Sequence, residues 1–130
     1  NRNSVILIDS DKRTQQSRIN DTKKRIIDEV ESTGGIAWVT KGKEIENYIS
    51  AGVVSRWLNK PNVDQVGQYD DFFNYLDGIK NGEGRRYSSR KPLMAEQLSP
   101  HMTKDEISKV LDLEERLTQL CGVIRKWNSS

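Results

Sequence analysis

The sequence predicts an α/β fold organised on a parallel sheet, and three features carry that expectation. Val5-Ile6-Leu7-Ile8 is a short, wholly apolar run that ends in Asp9-Ser10-Asp11. Such a run suits a strand buried on both faces, with its carboxyl end opening on a ligand crevice. Ile19, Ile26, Ile27 and Val30 then recur at helical spacing, with Asn20 or Asp21 available as N-cap and Gly34-Gly35 as the stop. Ile36-Ala37-Trp38-Val39-Thr40 reads as a second buried strand, and strand, helix and strand at this spacing imply a right-handed parallel crossover.

Beyond the crossover the pattern is helical. Lys41-Gly42-Lys43 is a turn, and residues 44–49 start a short helix with Ile45, Tyr48 and Ile49 on its apolar side. Val53, Val54, Trp57 and Leu58 make another helical turn or two, ended by Asn59-Lys60-Pro61. Asp70 or Asp71 caps a helix carrying Phe72, Phe73, Tyr75, Leu76 and Ile79, whose aromatics read as core. Asn81-Gly82-Glu83-Gly84 is the clearest break, and residues 85–90 lack hydrophobic periodicity, so a mobile loop is expected there. Pro92 suits a first helical turn, and Leu93, Met94 and Leu98 give that helix an apolar side. Thr103 with Glu106 forms a capping box for a helix burying Ile107, Val110 and Leu111. Leu113, Leu117, Leu120, Ile124 and Trp127 continue the helical interval to the C-terminus. The expected division is a core over residues 1–91 and a C-terminal helical segment over 92–130 that packs on it.

At 130 residues the chain can bury one modest core without disulfides. The lone Cys121, set in an apolar helical pattern, reads as a small core residue of a reducing, cytoplasmic environment. No apolar stretch approaches the roughly 20 residues of a membrane span, which argues against membrane residence. Net charge is only +2, from 21 basic and 19 acidic residues, so the placement of charge matters more than its sum. Lys12, Arg13, Arg18, Lys23, Lys24 and Arg25 follow the acidic pair, and Arg85, Arg86, Arg90 and Lys91 form a second basic group. Either group alone reads as a solvated surface. Both together, flanking an acidic metal site, suit a phosphate-bearing substrate.

Asp9 and Asp11 are the candidate metal ligands. Alternate side chains of a strand share a side, so the two carboxylates converge if the chain stays extended through Ser10. A hard cation such as Mg²⁺, which takes oxygen ligands and needs only one or two protein carboxylates, then relieves their repulsion. The other reading of the same residues is that Asp9 caps a following helix and Asp11 is a solvated first-turn acid. His101 has no Ser, Cys or Asp arranged as a triad partner and receives no catalytic role.

Ile8-Asp9-Ser10-Asp11, the strand at 36–40 followed by Lys43-Glu44-Ile45-Glu46-Asn47-Tyr48-Ile49, and Lys91 ahead of a helix together resemble the topoisomerase-primase (Toprim) domain of the overcoming-lysogenisation-defect (OLD) family of nucleases. The Glu-Ile-Glu-Asn-Tyr string is the most specific element, and the ending Ile124-Arg125-Lys126-Trp127-Asn128 is also similar. The resemblance spans nearly the whole chain, more loosely from 52 to 90. It implies a Toprim-like sheet flanked by helices, and DNA phosphodiester hydrolysis with one or two Mg²⁺ or Mn²⁺ ions. Asp9 and Asp11 would hold metal, with Glu46 as a further ligand directly or through water, joined by Glu44 if that segment is extended or irregular rather than helical, because residues two apart on a regular helix do not share a face; taken alone, Glu44 and Glu46 read instead as acids favourably placed at a helix N-terminus. Lys91 would neutralise charge on the phosphoryl group, and Arg85, Arg86 and Arg90 would track the DNA backbone. Toprim domains begin one strand earlier, with an active-site glutamate. The resemblance therefore implies that this first strand is missing, that an ATPase domain lies upstream, that the isolated chain is a weak nuclease prone to association, and that the whole protein serves phage defence.

Two other classes compete. A haloacid-dehalogenase-like phosphatase also ends a strand in Asp-x-Asp, but Thr or Val normally stands where this chain has Arg13. A non-catalytic interaction module would use the strand-helix-strand core only to support the helical tail.

Overall fold

A computed structural model describes residues 3–129. Among them the chain forms two strands and seven α-helices, an α/β arrangement as expected. Strands β1 (Val5–Ile8) and β2 (Ile36–Val39) pair in parallel, Val5 opposite Ile36 through to Ile8 opposite Val39. They are joined by α1 (Asp21–Ser32), which Asn20 caps by accepting from Lys23 N at 2.8 Å. Gly34, at φ +83°, takes the left-handed conformation that ends it.

β1 is not buried on both faces, contrary to the reading of its apolar run. Val5 is 36 % and Leu7 48 % exposed, while Trp38 in the register position beside Leu7 is only 6 % exposed. The difference is one of cover. Tyr48, Val110 and Leu113 close over Trp38, but among the described residues the sheet has two strands and neither hydrophobic cluster includes a residue of β1. α1 is similarly thin in packing, with no buried residue and Ile26 exposed.

The main core is helical. It joins α2 (Ala51–Leu58), α3 (Phe72–Ile79), α4 (Glu83–Ser88) and α5 (Lys91–Leu98) through Val53, Val54, Phe72, Leu76, Tyr87 and Met94, among others. Ser50 and Asp71 cap α2 and α3, and Asn59 ends α2 in the left-handed conformation. Residues 85–90, expected as a mobile loop, belong largely to α4. Gly82, at φ +91°, starts this helix, and only Gly84 and Tyr87 face inward. A six-residue helix needs no more than one such i, i+3 pair, too little to register as periodicity. Gly84 is required there because a Cβ on it would overlap the Phe73 carbonyl oxygen.

The C-terminal region also departs from a continuous helix. Thr103 caps the short α6 (Lys104–Ile107), but Leu111 then turns to φ +46° and is exposed before α7 (Leu113–Asn128) begins. Val110, not Leu111, is the buried residue of this turn. Along α7 only Leu113 is buried; Leu117 and Ile124 are exposed, and so is Cys121, which is therefore not a core residue. No helix among the described residues is long and apolar enough to cross a membrane.

Candidate metal centre

The loops that leave the two strands are sewn to each other at the carboxyl end of the sheet. Ser10, between the two aspartates, is 2 % exposed. Its Oγ donates to Gly42 O at 2.7 Å and its N–H to Thr40 Oγ1 at 2.9 Å, while Asp11 N donates to Lys43 O at 2.8 Å. Ser10 thus faces the junction, and alternation sends Asp9 the other way. Asp9 Oδ1 accepts from Ile45 N at 2.8 Å. It therefore caps a turn after all, one 36 residues further along rather than the helix that follows it.

That turn is a single 3₁₀ segment, Ile45–Tyr48, with Glu44 at its N-cap in extended conformation (φ −140°, ψ 170°). The irregularity decides the geometry. With Glu44 outside the helical turn and Glu46 inside it, both acids reach the same side as Asp9, and one carboxylate oxygen from each of the three lies within 4.8 Å of the others. Oxygens bound to one hard cation at 2.0–2.6 Å are separated by no more than about this span. Asn47 fixes the turn: its Oδ1 accepts from Glu44 N at 2.9 Å, and its Nδ2 donates to Gly67 O and Asp70 O at 3.0 and 2.9 Å. Tyr48 holds the other end, accepting from Lys41 N at 3.0 Å and Trp38 Nε1 at 3.3 Å and donating to Asp112 Oδ1 at 2.5 Å. Burial first, and then the Asp112 carboxylate, raises the Tyr48 pKa, so the hydroxyl stays a donor.

Lys91, at the start of α5, reaches across to the acids. Its Nζ lies 3.1 Å from Glu46 Oε1 and 3.3 Å from Glu44 Oε2, and 5.5 Å from the centre of the Phe73 ring. Burial opposes the charged ammonium, but Glu46 and Glu44 outweigh it and hold the Lys91 pKa above the ordinary lysine value. Glu46 is 7 % exposed, and its second oxygen, Oε2, is buried with no hydrogen-bond partner. A buried carboxylate oxygen without a donor is costly unless something else satisfies it. A cation held by the three acids is such a partner, and the all-oxygen donor set suits Mg²⁺ or Mn²⁺.

Asp11 is not brought into this cluster, which corrects its expected convergence with Asp9. The chain does not stay extended: Asp11 sits at φ +55°, and its carboxylate, about half exposed, is paired with Lys23. Lys23 Nζ also donates to the Asp9 carbonyl at 2.7 Å. Neither the lysine nor Ser10 had a spacing signal that singled it out. The arginines lie apart from the acids in their contacts. Arg85 reaches Asn81 at 3.4 Å, Arg86 pairs with Glu83 and lies over the Tyr87 ring, and Arg90 precedes α5 on the surface.

No protein-family model, curated protein or solved structure matches this chain. The Toprim resemblance accordingly rests on the residues themselves.

Proposed function

We propose that this chain carries the metal site of a DNA endonuclease of the Toprim/OLD type, probed most directly through the convergence of Asp9, Glu44 and Glu46 around an unsatisfied buried oxygen. A bound Mg²⁺ or Mn²⁺ supplies Lewis acidity toward a phosphoryl oxygen and lowers the pKa of a coordinated water. The residues contribute the rest. Asp9 Oδ1 is oriented by Ile45 N, the Glu44 backbone is fixed by the Asn47 side chain and Glu46 is held by burial, so the segment that carries the acids is set before any ion arrives. Lys91 supplies a compact cation at the same place, able to neutralise a phosphate that approaches the acids. Arg85, Arg86 and Arg90 supply exposed positive charge on the same stretch of chain for the DNA backbone.

A haloacid-dehalogenase-like phosphatase needs both aspartates of Asp-x-Asp at one centre, and the Asp11–Lys23 pair disfavours it. A purely structural module gives no reason for a buried, unpaired Glu46 Oε2.

The test has two readouts. Mn²⁺ titration followed by electron paramagnetic resonance should show binding that is lost in Asp9→Asn and Glu46→Gln and retained in Asp11→Asn. Equal binding by all four proteins would remove the site. Nicking of supercoiled plasmid with Mn²⁺, by this chain and by one extended upstream, then tests the reaction. Metal binding without nicking by either would leave the ion site standing and overturn the nuclease.

A further inference from the structure

Beside the same two loops lies a cationic groove that shares no residue with the acidic cluster. A cleft of about 520 Å³ is lined by Lys12, Gln15, Lys41, Gln68, Tyr69 and Arg116, among others. A neighbouring cleft of about 650 Å³ shares Lys12, Ile19 and Val39 with it and adds Arg18 and Lys24. The two clefts therefore adjoin at Lys12, Ile19 and Val39, by the carboxyl end of β2, and together make a composite channel. Its cations outnumber its acids, five to two, the acids being Asp112 and Asp21. Asp112 is already engaged by Tyr48 and Arg116. Among the described residues, no ion pair involves Lys12, Arg18, Lys24 or Lys41. Like charges gathered along a cleft without counter-charges repel one another, and a polyanion relieves that repulsion.

We infer that this channel binds a single strand of DNA, its phosphates following Lys12, Arg18, Lys24 and Lys41 and a base resting against Tyr69. The inference deepens the nuclease reading above by naming the form of DNA taken and the path it follows. A single strand is favoured over a duplex because the cations line a cleft rather than a flat or convex face, and because a half-buried aromatic ring stands within it. Charged grooves with aromatic side chains are the usual platform for unpaired bases. The ring is held in place: Gln68 Nε2 donates to Tyr69 Oη at 3.1 Å and to Lys41 O at 3.0 Å. Lys12 follows the loop that carries Asp9, and Lys41 precedes the one that carries Glu44. A strand lying in the channel is thus bound by the very loops that form the metal centre.

The experiment is fluorescence anisotropy with a labelled oligothymidylate and with a duplex of equal length, in EDTA and over a series of salt concentrations. The wild-type chain should prefer the single strand. Lys12→Gln/Arg18→Gln/Lys41→Gln should reduce the slope of log affinity against log salt by about 2, from roughly 0.7 for each lost phosphate contact. Tyr69→Ala should weaken binding about tenfold or more without altering that slope, and Tyr69→Phe should bind like wild type. Circular dichroism on each variant separates lost binding from lost fold. Wild-type affinity and slope in the triple variant would overturn the channel, and so would duplex bound at least as tightly as single strand. Because metal is absent throughout, the two readings fail separately: groove-dependent binding without Mn²⁺-dependent nicking sinks only the nuclease, and nicking with an unaltered triple variant sinks only the channel.

Discussion

Replacing Lys91 by methionine should tighten Mn²⁺ binding while removing turnover, a pair of opposite effects that follows from where the ammonium lies. Its Nζ contacts one oxygen of Glu44 and one of Glu46, at 3.3 and 3.1 Å, and both residues belong to the candidate metal cluster. An incoming cation must displace it. The lysine side chain is 45 % exposed, so each pair is screened and contributes at the modest level of surface ion pairs, about 0.5 kcal/mol. Two such pairs make the displacement cost roughly 1 kcal/mol, or about a fivefold lower Kd for Mn²⁺ in Lys91→Met. Raising the pH from 6 to 8 should not relieve the competition, because the carboxylates raise the Lys91 pKa and the ammonium stays charged throughout. Nicking should fall by about 10²–10³ if the lysine also stabilises charge on the phosphoryl group. Isothermal titration with MnCl₂ in the absence of DNA reads the first effect, and single-turnover nicking at saturating metal reads the second. Weaker Mn²⁺ binding in Lys91→Met would refute the reasoning, since the lysine would then be ordering the acids rather than occupying their ion site.

Gly84→Ala should destabilise the chain by about 1–3 kcal/mol, because the added Cβ meets the Phe73 carbonyl oxygen and α4 must move; Gly78→Ala, on α3 with nothing near its Cβ, should instead stabilise by up to about 1 kcal/mol. Urea denaturation of the two variants measures the contrast, and equal midpoints would remove the close approach. Tyr48→Phe should cost about 1–3 kcal/mol, since the Lys41 amide and the Trp38 indole lose their shared acceptor, and it should weaken Mn²⁺ binding by loosening the turn that carries Glu46. Glu106 has a lowered pKa, caused first by Arg56 and then by Thr103. Its stabilisation is therefore present above the ordinary value of 4.5 and is lost as pH falls through the lower folded value. Thermal melts should show Glu106→Gln less stable than wild type at pH 7, by about 1 kcal/mol, with the difference shrinking below pH 4.5; a constant difference down to pH 2 would contradict this.

The parallel strand pair was legible in sequence because two apolar runs and their punctuation sit at crossover spacing, and the caps at Asn20, Asp71 and Thr103 were legible because capping is local chemistry. Glu44 was harder. Its convergence with Glu46 depends on a 3₁₀ turn with an extended N-cap, and helix and 3₁₀ turn have the same apolar spacing over so few residues. Asp11 misled because alternation holds only while the backbone stays extended, and the left-handed turn at that residue is selected by the Lys43 carbonyl and by Lys23, both distant in sequence. Helix α4 and the break at Leu111 went unseen for a similar reason: one is positioned by a backbone contact through Gly84, the other by a backbone angle unusual for leucine. The half-open state of β1 is a property of its neighbours, which its own apolar run cannot report.

Lys23 gives α1 an importance out of proportion to its packing. The helix buries none of its residues, so it belongs among the segments that open at low free energy, well before the α2–α5 core. Yet its lysine grips both the Asp9 carbonyl and the Asp11 carboxylate. On the proposed metal reading, an excursion of the helix would release the peptide that carries Asp9, and an ion held there would bias the helix toward its docked state. Ligation at the carboxyl end of the sheet would thereby be linked to amide protection in a helix that contributes no ligand, and the exchange rate of α1 would report occupancy of the proposed site.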